Sequence, residues 1–453
     1  MAIKTILRTL RSGYQYQYPF KRASSYLQQR MFSTETDMVA PFTSSATSDA
    51  QENIPTVPEL KLAISKDMGV DKGYDPFRKD RSHLLKYLPK TQAELPKRAM
   101  RDSFLVGIIP LSKDKGLQDK YTTFLGQVRI GRLLEDMDIF AVMVVHKHIY
   151  NPNQPKNETF PYTLVTAHVD KIDFTEFLPK TEQDIKISGH VSWVGKSSLE
   201  VVVWLEQLMH GTWHRITRAL FLMAARDSNN KQAGIVNPLE PADDREREIL
   251  SGGETRKKRR MLLHQMHVSK LIPDAEEQQL IHNLYIRTTD KDSSLRKVLP
   301  TGCVWMTNAT MSNVVFSHPE ERNMHNAVFG GFIMRMAEEL AWVLGFTYSK
   351  YRPVLKSISD ISFQKPIAVS SLIRMHASVV YTQLNFMQII VHVEVYNSIT
   401  GENDTTNTLH FTFQVPELVN EVIPQTYHEA MMYIDGRRHF ESVMGKSSFP
   451  HKL

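Results

Sequence analysis

Residues 131–148 read GRLLEDMDIFAVMVVHKH and residues 330–344 read GGFIMRMAEELAWVL, and these two stretches decide the architecture. In the first, Leu134, Met137, Ala141 and Val145 recur three or four positions apart, which places them on one stripe of a helix. Met334 and Ala341 mark the same stripe in the second. Each helical pattern is followed by segments that read as strands, at 162–174, 184–194, 199–206 and 214–225 after the first and at 354–363, 372–381, 386–395 and 405–415 after the second. Ile187, Gly189, Val191 and Trp193 alternate with more polar neighbours, as do Leu409, Phe411 and Phe413, so the sheets are predicted to be antiparallel with one face covered. A long helix followed by strands, twice over, is an α+β architecture with an internal duplication.

Outward from the repeats the composition changes. Between them, 239–284 is highly charged and carries Arg256-Lys257-Lys258-Arg259-Arg260 followed by Met261-Leu262-Leu263, which reads as a helical connector. Its basic run is taken as a solvated helix face, because no aromatic residue is interleaved for stacking on a base. Residues 33–79 begin rich in Ser, Thr, Asp and Pro and are expected to be a flexible linker without a core. The expected plan is therefore a leader at 1–32, the linker, a domain at 80–238, the connector, a second domain at 285–430 and a tail at 431–453.

Charge is placed unevenly. The chain of 453 residues has 55 bases and 49 acids, yet Lys4, Arg8, Arg11, Lys21, Arg22 and Arg30 all precede the first acid, Glu35. Without those six the remainder is formally neutral, which removes the composition argument for nucleic-acid binding. Ile3, Ile6, Leu7 and Leu10 occupy one helical face of this acid-free leader, and Arg30-Met31-Phe32 stands just before Ser33. That is the pattern of a mitochondrial transit peptide, and the matrix is the expected location. No apolar run reaches the roughly 20 residues that span a bilayer. Cys303 is the single cysteine, so neither an intramolecular disulfide nor a multi-cysteine metal site can form.

The chemistry-bearing candidates lie on and before the two helices. Asp138 falls on the apolar stripe, four after Leu134 and three before Ala141, where a carboxylate is costly unless it is used or paired. Glu135 and Asp136 fit the exposed face. In the second helix Glu338 lies on the stripe between Met334 and Ala341, and Gly330-Gly331 opens the helix. The unbonded N–H groups of a helix start can polarise a carbonyl, and glycine permits close approach. Gly330 and Glu338 are separated by the same eight positions as Ile130 and Asp138, and Asn323 occupies the place of Thr123.

Asn, then Phe-Gly-Gly, then a carboxylate after the second turn of the helix resembles the hot-dog acyl-coenzyme A thioesterases, in which a curled antiparallel sheet wraps a long helix. The strings VTAHVDKIDF (165–174), VSWVGKSSLEV (191–201) and NMHNAVFGG (323–331) resemble mitochondrial members. The resemblance covers roughly residues 80–430. It implies two tandem hot-dog domains, acyl-CoA as substrate, no cofactor and assembly of such protomers into a homo-oligomer. One domain of the family supplies the amide side chain and helix-start N–H that hold the thioester carbonyl, and the partner helix supplies the carboxylate. By position, Asn323 and Gly330 or Gly331 would face Asp138. The opposite pairing is degenerate, with Thr123 for Asn, Ile130-Gly131 for Gly-Gly and Glu338 for Asp. The resemblance also puts the turn Lys196-Ser197-Ser198 near the CoA phosphates. Whether the carboxylate acts as general base or as nucleophile stays open.

Other chemistries find less support. Gly189 and Gly195-Lys196-Ser197 are one residue too far apart for a phosphate-binding loop and alternate like a strand. No Gly-x-Ser-x-Gly elbow is present. His146, His148, His264 and His267 lack metal-ligand partners and read as surface residues. A non-catalytic acyl-CoA sensor and a hot-dog dehydratase using His325 stand as alternatives.

Overall fold

The computed structural model describes residues 54–69, 80–155, 157–265, 272–293, 296–323, 327–363, 365, 367–369, 371–396, 401 and 403–445. The expected leader and His325 lie outside them. The first half forms α1 (Val57–Asp67), α2 (Met100–Ser103), β1 (Leu105–Ile109), α3 (Lys115–Tyr121) and the long α4 (Ile130–His148). Five strands follow: β2 (Tyr162–Val169), β3 (Ile172–Phe174), β4 (Ile185–Val194), β5 (Ser198–Met209) and β6 (Thr212–Asp227). After α5 (Asp244–Gln265) and α6 (Ala275–Thr288) the second half begins with β7 (Cys303–Trp305) and β8 (Thr310–Phe316). The second long helix, α7 (Gly330–Ser349), precedes β9 (Val354–Ile358), β10 (Ile361–Ser362), β11 (Leu372–Gln383), β12 (Phe386–Tyr396) and β13 (Asn403–Gln414). β14 (Glu421–Ile423) and α8 (Tyr427–Val443) close the described chain.

Leu133, Leu134, Met137, Phe140, Ala141, Val144 and Val145 are fully buried on α4, a wider apolar surface than a one-sided surface helix carries. Such a helix needs cover on several sides, and β2, β4, β5, β6 and α7 provide it. β1, β4, β5 and β6 pair in order in the first half, and β8, β11, β12, β13 and β9 in the second, all antiparallel. This is the tandem hot-dog arrangement.

The segments expected to be single strands at 162–174 and 354–363 are each split in two. On either side of the first break β2 and β3 both pair with β6, and each takes a strand of the other half as its second neighbour. Ile172 pairs with Ile358, and Ile361 with Val169, so β3–β9 and β10–β2 fuse the halves into one 12-stranded sheet. β1 and β8 were not expected; each is short and lies ahead of its helix, at an end of that sheet.

Four further expectations are corrected. The linker at 33–79 contains α1, whose start is a capping box: Glu59 N–H donates to Thr56 Oγ1 at 3.4 Å and Thr56 N–H to Glu59 Oε2 at 2.8 Å. The expected tail belongs to the helix α8 as far as Val443, with Tyr433, Ile434 and Phe440 buried, and 446–453 lie outside the described residues. The basic run is only partly solvated. Lys257 and Lys258 are exposed, but Arg256 Nε bonds Glu200 Oε1 at 2.8 Å, and Arg260 reaches Asp170 at 2.6 and 2.8 Å and Glu200 at 2.5 Å. Glu200 has no solvent exposure, so these arginines are the countercharges it requires. His148 is likewise buried, with Nε2 3.1 Å from Asn237 O, and burial pushes its pKa down to about 4.

Candidate active site

α4 and α7 lie side by side and antiparallel. A Cβ placed on Gly131 would lie 3.0 Å from Arg335 O and from a Glu338 oxygen, while one on Gly331 would lie 2.9 Å from Glu135 Cα and Asp138 Cβ. The glycines at the helix starts therefore let each helix reach the other's carboxylate. Asp138 has 0% exposure; its Oδ2 accepts from Gly331 N–H at 2.7 Å and its Oδ1 from Thr166 Oγ1–H at 2.6 Å. The second N–H of a helix lacks an intrahelical acceptor, and Asp138 satisfies it from the other domain at the positive end of the helix dipole. Burial pushes the Asp138 pKa up to about 6, against the pull of these two hydrogen bonds.

Glu338 takes the mirror position. It accepts from the Gly131 amide, but burial and the neighbouring Glu339 push it up to about 8, with the Gly131 bond and Arg129 acting in the opposite direction. At neutral pH Asp138 is therefore mostly a carboxylate and Glu338 mostly a carboxylic acid. Asp136, expected on the exposed face, is half-buried: Tyr121 Oη–H donates to it at 2.5 Å and burial raises its pKa to about 6. Glu135 is also half-buried, 2.9 Å from Arg335.

The residues ahead of the helices share one geometry. Asn323 N–H donates to Ala327 O at 2.7 Å while Asn323 Oδ1 accepts from Ala327 N–H at 3.1 Å; Thr123 makes the same two bonds to Gln127 at 2.7 and 3.1 Å. Each side chain lines a cavity. Asn323 and Phe329 face Ile139, Val142 and Met143 around about 350 Å³. Thr123 and Arg129 face Glu339, Trp342 and Val343 around about 340 Å³. The two sets match position for position, so the cavities are a pseudo-symmetric pair. Glu338 itself lines its cavity, whereas Asp138 is set behind Glu135 and Ile139.

Of the expected site residues, Asp138 is bonded to Gly331, Asn323 lines one cavity, and Glu338 and Thr123 line the other together. Gly330 packs next to the Phe363 ring, 3.0 Å from where its Cβ would be. Gly331 N–H is directed at Asp138. Lys196 and Ser197 lie in the turn between β4 and β5 and Ser198 opens β5, but none of the three lines either cavity. Thr166 was missed: a threonine in a strand carries no sequence mark of its pairing with a helix residue 28 positions away. Lys61, Ile64, Ser65 and Met68 at the cavity were missed with α1, although Thr56-Val57-Pro58-Glu59 is a readable capping box.

Two fused hot-dogs, each holding the other's buried carboxylate on a helix start, define the class to which the chain is compared. Residues 325–401 match the thioesterase superfamily. The chain is 42% identical over 373 residues to human acyl-coenzyme A thioesterase 9, mitochondrial, covering 82% of this chain and 84% of that one. It is 41% identical over 367 residues to mouse acyl-coenzyme A thioesterase 10, mitochondrial, covering 80% and 83%. An acyl-CoA hydrolase structure from Staphylococcus aureus, in complex with butyryl coenzyme A, coenzyme A and coenzyme A disulfide, is similar with TM-score 0.31 and 21% identity, over 32% of this chain and 92% of that one. The chain belongs to the acyl-coenzyme A thioesterases and hydrolyses acyl-CoA. The sensor and dehydratase alternatives are set aside accordingly.

Proposed function

We propose that hydrolysis occurs at one composite site per chain, shared between hot-dog domains at 80–238 and 285–430 that the connector at 239–284 joins. Asp138 takes a proton from the attacking water, and the Asn323 amide with the Gly330 N–H stabilises the oxyanion that develops on the thioester carbonyl. Gly331 N–H and Thr166 hold the Asp138 carboxylate in place. The observation that carries this reading is the contrast between the two buried acids: Asp138, tied by two donors, lies near 6 and Glu338 near 8. At neutral pH the first is the more ionised of the two.

Ile139, Val142, Met143, Leu164, Phe329 and Phe332 line the cavity beside Asn323, which supports an aliphatic acyl chain as the substrate's tail. Lys61 and Arg322 border the same cavity and suit CoA phosphates better than the Lys196 turn, which borders neither. The mitochondrial relatives and the basic leader support action in mitochondria. Among the described residues no helix is long and apolar enough to cross a membrane. Association of protomers is supported by the end strand β8, on which Val314 and Phe316 are 52% and 46% exposed.

The test is thiol release from palmitoyl-CoA and shorter acyl-CoAs by wild type, Asp138→Asn and Glu338→Gln. Loss confined to the first variant supports the assignment. A single turnover in heavy-oxygen water then separates the routes: label recovered in the Asp138 carboxylate replaces the direct-water route with an anhydride.

A further inference from the structure

We propose that α1, which lies ahead of the expected domain at 80–238, sets the length of acyl chain that the protein accepts, with Met68 at the far end of the acyl cavity as the deciding residue. The inference rests on the function proposed above, in which the cavity beside Asn323 takes the acyl chain, and it adds the specificity of that site.

α1 is tied down at both ends. Before its start, Ile108 N–H of β1 donates to Pro55 O at 3.1 Å, and Thr56 forms a parallel bridge to Ile108. After its end, Phe160 N–H donates to Asp67 O at 3.2 Å. Gly69 then turns the chain at a φ of 73°, where a Cβ would lie 2.9 Å from Thr159 Cγ2. Between the ties Lys61, Ile64, Ser65 and Met68 recur three or four positions apart, so one stripe of the helix and its cap faces the cavity. Leu62 lies off that stripe and is 68% exposed.

The cavity has a direction, because α1 and α4 run the same way along it. Burial raises the Asp136 pKa and the Lys61 charge opposes that rise, so Lys61 stands near the second turn of α4. At the other end Phe160, bonded to Asp67, sets its ring 4.5 Å from that of His146 in the last turn of α4. The reacting end is the one with Lys61. Arg335 joins Glu135 to Glu321, two residues before Asn323, at 2.9 and 3.9 Å, and Asp138 is set behind Glu135 and Ile139. From there the lining follows α4 through Ile139 and Val142 to Met143, about 12 Å beyond Glu135, and α1 from Lys61 to Met68, about 10 Å. Met143 is buried and Met68 half-buried. Past these two methionines Phe160 joins the helix ends, and neither Phe160 nor His146 lines the cavity. Met68 is therefore where the tip of an acyl chain meets the wall, and its unbranched side chain is a stop whose position depends on its size. The pseudo-symmetric cavity has no such wall: no residue of α1 lines it, and Val343 stands there in the place of Met143.

The experiment measures kcat/KM of the full chain for palmitoyl-CoA and for butyryl-CoA in wild type, Met68→Ala, Met68→Trp and Leu62→Ala. A butyryl chain extends only about 5 Å from its carbonyl and stops short of Met68, so it reports on the reacting end alone. Met68→Ala should raise the palmitoyl-to-butyryl ratio about tenfold and Met68→Trp should lower it about tenfold, the range that a small change of apolar pocket space commands. Ile64→Phe narrows the cavity one turn nearer the carbonyl and should also lower the ratio, so it carries the test if a Met68 variant fails to fold. Leu62→Ala, off the cavity stripe, should leave the ratio within about twofold of wild type. Ratios unmoved in the Met68 variants and in Ile64→Phe, or moved as far by Leu62→Ala, overturn the proposal. Asp138→Asn is measured beside them. Hydrolysis undiminished in that variant moves the reacting end elsewhere and overturns both readings, whereas its loss there, with the Met68 ratios unmoved, overturns the role of α1 alone.

Discussion

Gly331 N–H donates to Asp138 Oδ2 at 2.7 Å across 193 positions of sequence, joining the start of one domain's helix to the buried acid of the other. The bond requires that no side chain stand at Gly331, where a Cβ would lie 2.9 Å from Asp138 Cβ and from Glu135 Cα. Gly331→Ala must push backbone apart or lose the bond, and is expected to cost about 1–3 kcal/mol of stability and at least tenfold in kcat. Gly330→Ala meets only the Phe363 ring, a side chain that can turn aside, and should be milder in thermal unfolding. Equal losses of Tm in the two variants would contradict the account.

The two carboxylates should differ in rate. Asp138→Asn removes the proton acceptor and should lower kcat roughly 10²- to 10⁴-fold, while Glu338→Gln, which replaces an acid already protonated at neutral pH, should change it little. Asn323→Ala should cost on the order of 10²-fold, mostly in kcat, because the charge it meets develops in the transition state. The Asp138→Asn, Asn323→Ala double variant should be little worse than the worse single one, as for groups acting as a unit. Multiplicative losses would assign the residues to separate sites.

The same two acids set the pH dependence. Activity needs Asp138 ionised, so log kcat/KM should rise with pH and level off above an inflection near 6. Stability should move the other way. Both acids have pKa values raised by burial, so between the unfolded value and the folded one the folded chain holds more protons than the unfolded chain, and stability falls as pH rises. For Glu338 that window extends from about 4.5 to about 8. Glu338→Gln should flatten the decline of Tm between pH 6 and 8.5; a variant whose Tm declines as steeply as wild type would place the Glu338 pKa in the ordinary range.

The long helices were legible because Leu134, Met137, Ala141 and Val145 repeat at one period, and the site carboxylates because an acid on that stripe contradicts its surroundings. The crossing at β3–β9 was not legible: Ile172 and Ile358 are ordinary strand residues, and nothing local records which strand they pair with. Arg256 and Arg260 were misread for a related reason. A basic run looks solvated until the buried Glu200, 56 positions earlier, is found facing it. Thr166 and Lys61 act through tertiary contacts alone, so only the folded chain identifies them.

The place of the CoA moiety gives the last prediction. Lys61, one turn before Ile64 and Ser65 on α1, borders the Asn323 cavity, and the function proposed above gives its charge to the phosphates of a thioester entering that cavity. A phosphate contact far from the reacting carbonyl is made equally in the ground and transition states, so its loss raises KM and leaves kcat nearly unchanged. Lys61→Glu places a like charge against the phosphates and should raise KM for acyl-CoA roughly tenfold at low salt, with the effect shrinking as ionic strength rises. Lys196→Ala, in a turn that lines neither cavity, should leave KM within about twofold of wild type by the same reasoning. Steady-state kinetics on the two variants, at low and at physiological salt, decide between them. A raised KM in Lys196→Ala together with an unaltered one in Lys61→Glu would move the CoA phosphates to the β4–β5 turn and leave α1 as a wall of the acyl cavity only.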